Sequence, residues 1–171
     1  GAETPVERQE AQEAPPRKRA PAASAPDADL PQEPLPLTGD LDLMGDFVAE
    51  AGEHLDMADV HLLTLETEST DKEAINAMFR GVHTIKGVTG FLGLEEILAL
   101  AHETETLLDK MRKDEVAVEG AALDIIFDAV DFLKRLVANV SLALESGGLL
   151  DVEPELPALL ARIKAIGAGD T

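Results

Sequence analysis

From Asp40 onward, large apolar residues return every three or four positions with charged residues between them, a period that fits an α-helix and not a half-buried strand. Met44, Phe47, Ala51, Leu55, Ala58, Leu62 and Leu65 fall on one stripe, which predicts a helix from Asp40 to Thr67. Ser69, Thr70 and Asp71 break it, and a second helix is expected from Asp71 with Ile75, Met78, Val82, Ile85 and Thr89 facing inward. Gly90 to Gly93 loosens that helix's end. A third, from Leu94 to Lys113, presents Leu94, Ile97, Leu98, Ala101, Leu108 and Met111. The fourth, Gly120 to Glu145, is apolar on two sides: Leu123, Phe127, Val130, Val137 and Leu144 on one, with Ile125, Phe132 and Leu136 displaced around the cylinder. Two apolar faces need two neighbours. One is the bundle, and the other is expected to be a last short helix, Glu155 to Ile166, offering Leu156, Leu159, Leu160 and Ile163. Short loops between long amphipathic helices make sequential helices antiparallel, so the expected class is all-α, an antiparallel four-helix bundle with an additional C-terminal helix.

The first 38 residues differ in kind. They hold eight of the ten prolines and almost no large apolar side chains, and read as a disordered, Pro/Ala-rich linker. The expected organisation is a tether over 1–38, the bundle over 39–146, and a loop, short helix and frayed tail over 147–171. Arg17-Lys18-Arg19 reads as solvated charge inside the tether, the alternative being a docking or targeting role. Beginning Gly1-Ala2 without a methionine, the sequence reads as a piece of a longer protein. After residue 39 there are 27 acidic and 10 basic side chains, a surface that repels nucleic acid and anionic lipid. The absence of cysteine removes disulfides and thiolate metal sites, and no apolar run approaches the roughly 18 to 20 residues that span a bilayer. A cytoplasmic setting is expected.

His83-Thr84-Ile85-Lys86-Gly87 carries the chemistry. At helical spacing Lys86 lies about 60° to one side of His83 and Gly87 about 40° to the other, with Gly90 about 20° away. A neutral imidazole nitrogen can attack phosphorus, an ammonium offsets the arriving charge, and glycines admit a bulky partner. Each glycine costs a helix roughly 1 kcal/mol against alanine, so their clustering beside a histidine needs a reason, and close approach supplies one. On the third helix Glu105 falls among Leu98, Ala101 and Leu108, where a carboxylate needs a partner. With the second and third helices side by side, Glu105 is placed to accept the Nδ1 hydrogen of His83 and leave Nε2 free. The alternative is that Glu105 curls to the surface or pairs with a lysine. His102, one turn before Glu105, is placed to tune the site's charge or is simply a surface residue. His54 and His61 read as solvated edge residues.

Other chemistries fail on spacing. His102-Glu103-Thr104-Glu105-Thr106 begins like a zinc-protease helix but lacks the second histidine, and no histidine has the glutamate three positions earlier that di-iron bundles use. Gly87, Gly90 and Gly93 match neither a dinucleotide fingerprint nor a phosphate loop, and with aromatics at 3 per cent there is no platform for stacking bases.

Met78-Phe79-Arg80-Gly81-Val82-His83-Thr84-Ile85-Lys86-Gly87 resembles the phosphorylation-site helix of the histidine-containing phosphotransfer domain, in the version carried by CheA-type chemotaxis histidine kinases. Phe91-Leu92-Gly93-Leu94 and the run Ala101 to Arg112 are similar to that family's third helix, and Phe47 to Ala51 with Glu53-His54-Leu55 to its first. The resemblance covers about residues 40 to 145. It implies His83 as phosphoacceptor, Glu105 as its orienter, Lys86 and His102 as flanking residues that condition reactivity, and Gly87, Gly90 and Arg80 as partner-docking positions. It implies a kinase ATP-binding domain and a response-regulator receiver as partners, with ATP and magnesium supplied from outside a domain that holds no cofactor and catalyses little itself. One departure is that the family's domain usually opens its protein, whereas a proline-rich stretch precedes it here. The rival reading from the residues is a helical interaction module without phosphoryl transfer.

Overall fold

Asp40 starts α1 (Leu41–Thr67): its carboxylate accepts the N–H groups of Asp42 and Leu43 at 3.0 and 3.2 Å, capping donors that the first turn leaves free. Asp71 does the same for α2 (Lys72–Leu92), accepting from Ala74 at 3.2 Å. Gly93 ends α2 in the left-handed region at φ 72°, and the Leu94 N–H bonds back to the Thr89 carbonyl at 3.1 Å. That tight closure joins α2 to α3 (Glu95–Arg112) through Gly93 and Leu94 alone and sets the two helices antiparallel and side by side. The remaining helices are α4 (Gly120–Glu145) and α5 (Leu156–Gly167). The computed structural model describes residues 30–169.

The four long helices enclose one apolar core, with Leu55, Leu62, Ile75, Ile85, Leu100, Leu108, Ile125 and Leu133 essentially sealed from water. The inward stripe of α1 is the one its periodicity predicts, residue for residue. Among the described residues no helix is long and apolar enough to cross a membrane.

Three features depart from the sequence reading. The expected tether runs to residue 38, and its residues 1–29, including Arg17-Lys18-Arg19, lie outside the described residues. Residues 30–38, however, lie on the bundle: Leu30 is buried, β1 (Leu35–Pro36) pairs antiparallel with β2 (Leu149–Leu150), and the Leu37 N–H donates to the Gly148 carbonyl at 2.6 Å. Leu30, buried, and Leu37, packed against the core, are the physical reason, with the β1–β2 pairing between them. Second, α5 packs chiefly on α3 and less on α4. The second face of α4 is shared among α3, β2 and α5. Third, α3 is covered by α2, α4 and α5, so burial extends around most of it and takes in Ala99, Leu100, Leu107, Thr104, Glu96 and Glu103, while Leu98 is only half-buried. Thr104 satisfies its hydroxyl on the Leu100 carbonyl at 2.7 Å, and Glu96 accepts the Glu153 N–H at 3.0 Å, holding the loop that leads into α5.

Candidate functional site

The site lies on the outer seam between α2 and α3, whose antiparallel register sets residue 83 of one opposite residue 105 of the other. His83 Nδ1 stands 2.7 Å from Glu105 Oε2, and the Lys86 ammonium donates to the other oxygen, Oε1, at 2.7 Å. Both carboxylate oxygens are thus engaged by residues one helical turn apart. The imidazole side chain is 62% exposed while the carboxylate is only 14% exposed, so the ring projects into solvent from a fixed root. Burial alone would raise the Glu105 pKa, but the hydrogen bonds from Lys86 and His83 outweigh it and hold the group below the ordinary carboxylate range. An ionised carboxylate only accepts hydrogen bonds, so Nδ1 carries the hydrogen and the Nε2 lone pair is free.

Glu105 therefore sits on the rim of α3, not on its inward stripe as the spacing suggested. The inward stripe keeps Ala101 and Leu108 as predicted, but between them it is Thr104 and not Glu105 that is buried. Lys86 also differs from expectation. Its ammonium is spent on Glu105, so at rest its charge stabilises the carboxylate and does not stand free beside Nε2.

His102 is half-buried one turn before Glu105, and among the described residues its ring takes part in no hydrogen bond or ion pair. Arg80 is exposed one turn before His83. A Cβ at Gly87 would meet no atom within 4 Å, and one at Gly90 would touch only Leu98 at 3.9 Å. Packing within the bundle requires neither glycine. Gly81 is different: a Cβ there would lie 3.6 Å from the His54 ring, so His54 is a half-buried packing residue between α1 and α2, with Glu50 at 3.6 Å, and not the solvated edge residue expected.

Two participants escaped the sequence reading. The Phe79 ring stacks against His83, centroids 6.0 Å apart and planes within 13°, and the Arg112 guanidinium lies 4.2 Å over the Phe79 ring. The available signal was spacing: Phe79 precedes His83 by four residues, which puts them on one helix face.

Comparison with known proteins places the chain in a family. A family model described as the Hpt domain matches residues 42–169. The chain is 30% identical over 101 residues to the chemotaxis protein CheA of Treponema pallidum, and 35% identical over 94 residues to that of Listeria monocytogenes. These matches take in 59% and 55% of this chain but only 12% and 15% of those much longer proteins. Among solved structures, the CheA phosphotransferase domain from Thermotoga maritima is 36% identical with a TM-score of 0.57, over 61% of this chain and 99% of that one. The phosphorylated P1 domain of CheA3 in complex with CheY6 from R. sphaeroides aligns with a TM-score of 0.66 at 25% identity, over 77% of this chain and all of that one. The chain belongs to the Hpt domain family, in the form carried by CheA-type chemotaxis proteins.

Proposed function

We propose that this domain is a phosphorelay carrier: His83 Nε2 accepts the γ-phosphoryl group of ATP held by a kinase ATP-binding domain and passes it to an aspartate of a response-regulator receiver. The observation that carries this reading is the 2.7 Å contact between His83 Nδ1 and Glu105 beneath an outward-facing ring. In the first step the Nε2 lone pair forms a bond to phosphorus, and the bond to the oxygen bridging the β- and γ-phosphates breaks to release ADP. The Nδ1 hydrogen stays between imidazole and Glu105, so positive charge developing on the ring is met by the carboxylate. In the second step an aspartate oxygen attacks phosphorus, the P–N bond breaks, and its electron pair returns to Nε2. Both transfers depend on positioning more than on acid–base work, so the domain needs little catalytic power of its own. ATP and magnesium come from the kinase, and a second magnesium from the receiver, in a cytoplasmic setting.

The R. sphaeroides relative, a phosphorylated P1 domain in complex with CheY6, supports a receiver as the second partner. Gly87 and Gly90, free of packing duties, together with exposed Arg80, form the surface on which partners settle. His102 flanks the site as a conditioning residue. Lys86 acts through Glu105: it keeps the carboxylate ionised, and its loss should slow phosphorylation only a few-fold.

Incubation with a CheA-type kinase ATP-binding domain, magnesium and γ-labelled ATP tests the reading. The expected product is labelled protein whose phosphate is lost in acid and survives alkali. Unlabelled, fully helical protein would contradict it and leave an interaction module without phosphoryl chemistry.

A further inference from the structure

We infer that Phe79 is a positioning residue for His83, fixing the plane of the imidazole by stacking while Glu105 fixes its edge, with Arg112 holding Phe79 in place. This rests on the phosphocarrier reading above. A single hydrogen bond at Nδ1 defines a hinge, not a plane, and a ring 62% exposed to water has room to swing about it. The direction of the Nε2 lone pair would swing with it. Phe79, parallel within 13° at 6.0 Å, removes that freedom, since rotation of the imidazole out of plane gives up the offset stack.

Phe79 is itself anchored. It is partly buried and packed against the core, and Arg112 lies 4.2 Å from its centroid in a cation–π contact. Arg112 pairs with Asp109, which also accepts from Lys113 at 2.8 Å, and the Arg112 carbonyl takes a hydrogen bond from Lys72 at 3.3 Å. The order is then Asp109, Arg112, Phe79, His83, returning through Glu105 to α3. Hydrogen bond and stack come from the same two helices, so the ring is held by one rigid seam.

The test uses the intact chain with a CheA-type kinase ATP-binding domain, magnesium and labelled ATP, comparing Phe79→Leu, Phe79→Tyr and Arg112→Gln with the unaltered protein. Leucine keeps an apolar contact with the core but no ring. It is expected to lower kcat for phosphorylation roughly 2- to 10-fold with KM unchanged, the range that follows from losing one aromatic stack. Tyrosine is expected to restore the rate. Arg112→Gln, which leaves the ring in place, should give a smaller loss in the same direction. The imidazole ¹⁵N shifts of unphosphorylated Phe79→Leu should move, because a ring free to tilt about its Nδ1–Glu105 contact makes that hydrogen bond less linear. A folded Phe79→Leu protein with unaltered kcat and ¹⁵N shifts would overturn the inference, as would a rise in KM alone, which would make Phe79 a docking contact. Failure of the unaltered protein to label would instead count against the phosphocarrier reading, while the ¹⁵N shifts would still report on the clamp.

Discussion

At the scale of single residues, the site is a contest over one carboxylate. Glu105 is claimed by His83 and Lys86 together, and both bonds require it to be ionised. Its folded-state pKa lies below the ordinary 4.5, so its contribution to stability is fully present above that value and lost as pH falls through the lowered one. Glu105→Gln is therefore expected to unfold about 1–2 kcal/mol more easily at pH 7, the worth of charge-assisted hydrogen bonds, with the gap narrowing once pH falls below 4.5. Urea melts of the two proteins at both pH values check this, and a gap independent of pH would contradict it. The same substitution should slow phosphorylation of His83, because the Nδ1 hydrogen then loses its ionic partner. His83→Gln is expected to abolish labelling altogether while far-ultraviolet circular dichroism stays unchanged, since the ring touches solvent, Phe79 and Glu105 and is not part of the core.

At the scale of the helix, α2 gives up stability around its histidine. Gly87 and Gly90 add backbone freedom to the unfolded chain without filling any space in the folded one. Gly87→Ala is expected to raise stability by about 0.5–1 kcal/mol while slowing transfer to a receiver that must come close to Nε2. Gly93 is the opposite case: at φ 72° an alanine is strained by about 1 kcal/mol or more, and Gly93→Ala should lower the denaturation midpoint. The contrast marks what the sequence made legible. The period of α1 gave its whole buried face, and the pairing of His83 with Glu105 was expected from the side-by-side packing of α2 and α3, although Glu105 stands on the rim of α3 and not on its inward stripe. α3 was read less well, because amphipathic periodicity assumes one wet side and α5 takes much of that side away. Side-chain partners within the seam were the least legible. That Lys86 turns to Glu105, and that Phe79 lies under the histidine, depends on rotamers that spacing alone does not set.

At the scale of the whole molecule, α5 and the two short strands complete a bundle whose third helix would otherwise face water. Leu156, Leu159, Leu160 and Ile163 are buried on that side, and the Lys110 ammonium donates to the Gly167 carbonyl at 2.7 Å, closing the C-terminal end of α5. Leu160→Ala is expected to cost about 2–5 kcal/mol in unfolding free energy with no change in phosphorylation rate while the chain remains folded. Glu96, under the approach to α5, is raised above the ordinary carboxylate value by burial, against the Glu153 N–H that lowers it. The folded chain therefore binds this proton more readily than the unfolded one, and the residue's contribution declines as pH rises through the raised pKa. Glu96→Gln keeps an acceptor for Glu153 and is expected to be the more stable protein at pH 7 but not at pH 4. These terms set how firmly the seam is held, but the seam's purpose is to present one nitrogen. The most direct measurement is the ¹⁵N and ³¹P NMR spectrum of the chain after incubation with kinase, ATP and magnesium. Phosphate on His83 Nε2, with Nδ1 still protonated, is the predicted result, and phosphate on Nδ1, on His102 or on no histidine at all would contradict the account.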